Sequence, residues 1–268
     1  MNITTAARRF LANALLYAAA SAVTGCAGSS PRTESATRVA TVDPSRGHTE
    51  RDFLEAIRRV PGVSAGSSQV LLVLGDDSAP ADQARFVAIA MYESAGSGQP
   101  FRRVLGPFPG AIGFKGFAKV GEKREGDRKS PTGRFTITEL FGEDPRFQIR
   151  MPYKLLAPDD LWCEDPASPY YNSWIKVPSS PMASDAGQAA RDNLFWHGAV
   201  IDYNRTPVVP GAGSGIFMHK AEPDGAGTYG CVGLDAADLD AVLLRLDPVR
   251  KPEIIMGTSQ ELRRLGGR

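Results

Sequence analysis

An apolar run, Ile216-Phe217-Met218, delivers His219, and twelve positions later a cysteine stands directly behind a glycine in Thr228-Tyr229-Gly230-Cys231-Val232. Acyl chemistry on a thiol needs three things: a thiolate, a base that takes its proton, and N–H groups aimed at the oxygen on which charge develops. An unperturbed thiol, with a pKa of about 8.5, is mostly protonated near neutrality, so Cys231 as nucleophile needs His219 as its base. The same imidazole can later protonate a leaving amine. The loop between them carries Pro223, Gly225 and Gly227 and can fold back to bring the two side chains together. Gly230 lets the backbone approach a substrate carbonyl, and the amides of Tyr229, Gly230 and Cys231 are the candidate oxyanion donors.

The elements that must position this window are mostly short strands. Val70 to Leu74 is a continuous apolar run ended by Gly75-Asp76-Asp77, and Arg85 to Tyr92 is a second. Arg103 to Leu105, Ala111 to Gly113, Phe135 to Leu140, Leu194 to Ile201 and Gly215 to Met218 follow among prolines and glycines. Many short strands separated by turn residues predict a mostly-β barrel or sandwich with a few short helices. One helix is expected from Thr49 to Val60, burying Phe53, Leu54, Ile57 and Val60. Another is expected after Asp235, with Leu239, Val242, Leu243 and Leu246 as its buried stripe and Asp247-Pro248 as its stop. Glu253 to Met256 reads as a final strand. Residues 141–192 read as a long loop with Trp162, Tyr170, Tyr171 and Trp174 among Pro, Asp and Ser; such a loop is either a functional wall or lid, or an excursion pinned by its own aromatics.

The chain has 268 residues and a net charge of +1, with basic and acidic residues interspersed and no basic stripe, which argues against nucleic acid as a partner. The N-terminus reads as an address. Arg8-Arg9 precede an apolar stretch from Phe10 to Val23, too short for a span of about 20 residues. Val23-Thr24-Gly25-Cys26 is similar to a bacterial lipobox, in which Cys26 is lipidated and becomes the mature N-terminus; a plain secretory signal is the alternative. The expected organisation is a signal peptide over 1–25, a Ser/Thr/Gly/Pro-rich tether over 26–48 and one domain over 49–268. The expected location is the periplasm, with a lipid anchor in the outer membrane.

At Cys231 the sequence resembles the L,D-transpeptidase catalytic domain (YkuD-like) family, which carries a His, a loop, then Ser/Thr-x-Gly-Cys and an apolar residue. Those positions are His219, Thr228, Gly230, Cys231 and Val232. A second block, Gly126-Asp127-Arg128-Lys129-Ser130-Pro131-Thr132-Gly133-Arg134-Phe135, is similar to the family's Gly-Asp-x-x-Thr-Pro-x-Gly-x-Phe, and Tyr203-Asn204 ahead of Pro210 to Ser214 resembles a subgroup. The resemblance spans about residues 69 to 257. It implies the family's mostly-β domain and attack by Cys231 on a peptidoglycan stem peptide, at the bond between its third residue, a diamino acid, and the following D-alanine. His219 would serve as acid and base, the amides of Tyr229, Gly230 and Cys231 would hold the oxyanion, and no metal or other cofactor is implied. An amine from another stem peptide, or from a protein, would resolve the thioester. Thr228, Trp162, His197 and Gly233 are the further candidates for substrate contact. Tyr229 stands where the family commonly has His, and Gly233 where it often has Arg or Asn.

Duller readings use the same residues. A hydrolase needs the identical pair with water as acceptor. A non-catalytic envelope lipoprotein would use Cys163 and Cys231 as a disulfide. His197, in Phe195-Trp196-His197-Gly198, lies on an apolar strand and reads as structural or as a pocket wall. His197, His219, Cys163 and Cys231 have zinc-ligand chemistry but no paired ligand spacing.

Overall fold

The computed structural model describes residues 48–266 except 82, 97, 146–147, 177–196 and 223–226. The lipobox, Cys26 and most of the tether lie outside the described residues.

Helix α1 (Glu50–Arg59) begins where the Asp52 carboxylate accepts both the N–H and the hydroxyl of Thr49, each at 2.7 Å. It buries Phe53, Ala56 and Ile57, the spacing of one helical face. A single turn, α2 (Val63–Gly66), leads into strand β1 (Gln69–Gly75). This strand is buried along its whole length because both its faces are covered. Leu71 and Val73 enter the main core, while Val70, Leu72 and Leu74 pack with Phe53 and Ile57 of α1 and Leu262 of the C-terminal helix. The unbroken apolar run is the sequence signature of that double burial.

β1 pairs antiparallel with β2 (Phe86–Glu93) and parallel with β11 (Glu253–Thr258). The sheet continues from β2 through β3 (Arg102–Ala111), β10 (Val232–Leu234), β9 (Phe217–Lys220) and β8 (His197–Ile201) to β4 (Gly133–Gly142), with β5 (Tyr153–Leu155) on its edge. Gly133 to Thr136 of β4 pair back onto β11, so the sheet closes into a barrel. Helix α3 (Ala236–Arg245) follows Asp235 and adds Leu239, Val242 and Leu243 to the main core. Helix α4 (Ser259–Leu265) follows β11 directly, with the Thr258 hydroxyl accepting from the Glu261 N–H.

The mostly-β expectation matches this architecture, with differences in detail. The fragment expected at 103–105 lies inside the longer β3, the one expected at 111–113 contributes only Ala111 to it while Gly113 makes an isolated bridge to Thr228, and α4 was not expected. Of the loop expected over 141–192, the part to 176 is not a loop: beyond β5 it forms a hairpin, β6 (Asp160–Cys163) and β7 (Ser173–Lys176), that pairs Trp162 with Trp174, while 177–192 lie outside the described residues. Strands of three or four residues set among Pro, Asp and Ser carry too little alternation to be read locally.

Candidate active site

His219 is placed by register. It pairs with Gly198 of β8 on one side and with Gly233 of β10 on the other, while Phe217 pairs with Val200. Paired residues share a face and neighbours along a strand alternate. Phe217, His219, Gly198, Val200 and Gly233 therefore look to one side. Met218, Ala199, Ile201 and Val232 look to the other and belong to the main core. Cys231, two residues before Gly233, falls on the His219 side and packs against the cluster that Phe141, Trp162, Val200 and Phe217 form. Nucleophile and base thus come from adjacent parallel strands and face the same way.

The Cys231 thiol donates to the Gly215 carbonyl at 3.2 Å, and its sulfur accepts from the Phe217 N–H at 3.4 Å. The loop in front of it is held by hydroxyls. Buried Ser130 donates to the Gly230 carbonyl at 2.7 Å and accepts from the Gly113 N–H at 3.0 Å. Thr228 Oγ1 donates to the Cys231 carbonyl at 2.7 Å and accepts from the Gly230 N–H at 3.1 Å. With both carbonyls pinned, the peptide planes around Cys231 are fixed. Gly230 has φ +146°, and a Cβ there would stand 3.0 Å from the Lys129 carbonyl oxygen and 3.1 Å from Ile216, so glycine is required. The Gly230 N–H is spent on Thr228, whereas those of Tyr229 and Cys231 have no acceptor among the described residues. The expected trio of oxyanion donors is therefore reduced to two.

His219 is buried, and its Nδ1 lies 2.7 Å from the Lys220 carbonyl oxygen. A carbonyl can only accept, so Nδ1 carries the proton and Nε2 carries the lone pair. Burial lowers its pKa to about 4 despite the Lys220 bond. Burial pushes the Cys231 thiol up to about 12; the Phe217 N–H and Lys123 act against that rise, and Glu164 adds to it. At rest the pair is thus neutral thiol and neutral imidazole rather than an ion pair. Such a pair reacts when a bound carbonyl lets the S–C bond form as the proton leaves.

The wall beside the pair is the β6–β7 hairpin. Trp162 and Trp174 stand edge to face with centroids 4.9 Å apart, and Trp162 meets Phe217 at the same separation. Asn172, immediately before β7, accepts from Trp162 Nε1 at 3.1 Å and from the Gly215 N–H at 3.0 Å, and donates to the carbonyls of Tyr203 and Asn204. One side chain thus ties the hairpin to the segment leading into β9. Glu125 accepts from Ser214 Oγ at 2.8 Å and from the Tyr171 hydroxyl. Buried Lys123 donates to Asp127 at 2.7 Å and to the Arg124 carbonyl at 2.8 Å, and its stem packs by Gly213 and Gly230.

A sequence model of the L,D-transpeptidase catalytic domain (YkuD) matches residues 91–255, a span holding both Cys231 and His219. The chain belongs to that family. No curated protein and no solved structure gives a significant match.

Within this L,D-transpeptidase domain the sequence-derived site residues divide. Cys231 and His219 lie on one face, Trp162 belongs to the aromatic cluster against which Cys231 packs, and Tyr229 and Gly230 immediately precede the thiol in the loop. Thr228 is buried and spent on the loop's own backbone. Gly233 is on the right face, but a Cβ there would stand 3.1 Å from Ala221 Cα, so a side chain at this position requires Ala221 to shift by a few tenths of an ångström. His197 is not brought to this side: one register step from Gly198, it points to the opposite face and its Nε2 meets Asp240 of α3. Tyr229 is 70% exposed, with Phe114 edge-on at 5.4 Å and the Arg128 guanidinium 5.4 Å over its ring. Cys163 and Cys231 are both free, so the bridge an inert binding protein would use is not formed. Among the described residues no three His, Cys, Asp or Glu are grouped to hold a metal ion.

Sequence reasoning missed Ser130, Asn172, Lys123 and Glu164. Ser130 lies in a recognised family block, yet its partner is 100 residues away, so no local signal connects it to the thiol.

Proposed function

We propose that the protein is a cysteine-dependent acyltransferase acting on peptidoglycan stem peptides, with an amine as acceptor. The observation that carries this reading is the convergence of the Cys231 thiol and the His219 imidazole on one face, beside two amides with unused hydrogens.

In the reaction, Cys231 Sγ attacks the carbonyl between the diamino acid and the terminal D-alanine while His219 Nε2 takes the thiol proton. The Lys220 carbonyl holds the imidazole in the tautomer this needs. The oxyanion that forms is met by the amides of Tyr229 and Cys231. Collapse breaks the C–N bond, and His219 returns the proton to the departing D-alanine amine. The thioester is then resolved by an incoming amine, which His219 deprotonates, and the free thiol is restored. The wall of Trp162, Phe217 and Trp174 limits water around the thioester, which favours an amine as acceptor. The character of residues 1–26 supports an exported lipoprotein anchored through Cys26, on the side of the membrane where stem peptides lie.

Purified stem tetrapeptide incubated with the full chain in detergent should give free D-alanine, a thioester adduct on Cys231 and cross-linked dimer, all read by mass spectrometry. Cys231→Ala should give none of them. Shortened peptide without dimer would make water the acceptor, and absence of any Cys231 adduct would overturn the reading.

A further inference from the structure

Glu164 follows β6 immediately and its side chain reaches Gly215, the residue whose carbonyl accepts the Cys231 thiol. A Cβ on Gly215 would stand 2.7 Å from Glu164 Oε1. With φ +61° as well, position 215 is kept open by glycine, and the carboxylate occupies the space beside the reactive centre. Among the described residues Glu164 has no hydrogen bond and no ion pair, and the one charge acting on it is that of Glu125. Its acidic neighbour Glu125 is satisfied by Tyr171 and Ser214. Two cations of the neighbourhood are committed elsewhere: Lys123 to Asp127, and Arg205, stacked over Trp162, to Glu139 and Asp202.

An unpaired carboxylate in this place opposes the chemistry. Its charge disfavours the thiolate and the oxyanion alike, and it raises the Cys231 pKa further. Glu164 is an exposed residue, but the protein atoms around its carboxyl and, after them, the charge of Glu125 lift that carboxyl above the ordinary range, so it gains from a cation of its own. A charge that hinders the resting site yet sits next to it is explained if the substrate brings the counter-charge.

We infer that the Glu164 carboxylate is the binding partner of a primary ammonium group on the substrate. This rests on the acyltransferase reading above and specifies its substrate recognition. Two amines of that chemistry reach the site: the side-chain ammonium of the donor's diamino residue and the incoming acceptor. Pairing either one with Glu164 positions it beside the Gly215–Cys231 contact and cancels the field that holds the thiol protonated.

The test follows acylation of Cys231 in the full chain with two tetrapeptide donors, one with the side-chain amine free and one with it acetylated. It then follows the partition of the thioester between an added amine and water. A charge-assisted hydrogen bond of this kind corresponds to about a tenfold to hundredfold rate difference. Wild type should acylate faster with the free-amine donor by that factor, and Glu164→Gln should lose the preference, with the acetylated donor reacting at least as fast as with wild type because the opposing charge is gone. If acylation is alike for both donors but Glu164→Gln shifts the thioester from amine towards water, Glu164 binds the acceptor ammonium. Glu164→Lys should favour a donor whose amine is succinylated, an effect that loss of packing cannot produce. Equal slowing of both donors by Glu164→Gln, or an unchanged preference and partition, overturns the inference while the Cys231 reading stands. A wild type that never acylates Cys231 overturns both.

Discussion

His197 and His219 sit on paired strands, one register step apart, and have opposite surroundings. Both are buried, and burial lowers the pKa of each. His197 faces the α3 side and meets a carboxylate, Asp240, which partly restores its basicity. His219 faces the hairpin side, donates Nδ1–H to a backbone carbonyl and shares its face with a thiol. A neutral carbonyl fixes the tautomer without adding charge, so His219 stays unprotonated and ready to accept a proton. The difference teaches that face, set by a single register step, separates a structural imidazole from a candidate base.

The comparison is sharpest where one face is emptied of its nucleophile. Cys231→Ala should lower D-alanine release by about a thousandfold or more, with only a small drop in melting temperature from the two weak sulfur hydrogen bonds that are lost. His219→Gln, which keeps polarity but not basicity, should slow acylation by about a hundredfold to ten-thousandfold. His197→Gln should instead leave acylation within about threefold and reduce stability in chemical denaturation. A His197 variant that folds normally yet loses acylation would break the comparison.

Much of this was legible in the sequence, and the limits have physical causes. The apolar run of β1 could be read because both its faces are covered. His219 and Cys231 could be read because a thiol, a base and a glycine must stand in a tight local pattern to react. The face of His197 could not be read, because its strand is apolar on both sides and periodicity then carries no direction. The β6–β7 hairpin stayed hidden because its order comes from Trp162 and Trp174 packing on Phe141 and Phe217, far away in sequence. Asn172 has the same history: its hydrogen bonds to Gly215, Tyr203 and Asn204 exist only once three segments have met.

The two histidines also predict a pH dependence. Each has a folded pKa below its unfolded value of about 6.5, so the unfolded chain binds the proton more readily. Stability is therefore fully present above pH 6.5 and is lost as pH falls, for His219 until about pH 4. His219 alone should contribute about 3 kcal/mol to that loss. Urea unfolding between pH 8 and pH 4 should show a flatter acid limb for His219→Gln than for wild type. Asp240→Asn should steepen it, because His197 loses the carboxylate that supports its protonated form. An acid limb unaffected by both variants would mean that neither imidazole is held neutral by the fold.

The smallest effect concerns the support behind the reactive face. Ser130 Oγ bonds at once to the Gly230 carbonyl and the Gly113 N–H, and it is fully buried. Ser130→Ala leaves both backbone groups without that partner and should cost about 1–3 kcal/mol of stability. The Gly230 peptide then loses the anchor that orients the Cys231 amide, so acylation should slow even at temperatures where the variant is fully folded. Ser130→Cys, which keeps a weak donor, should fall between the two. If acylation by folded Ser130→Ala equals wild type, the Thr228 bonds alone hold the loop, and the fixed peptide planes would depend on the chain segment itself rather than on the block that precedes β4.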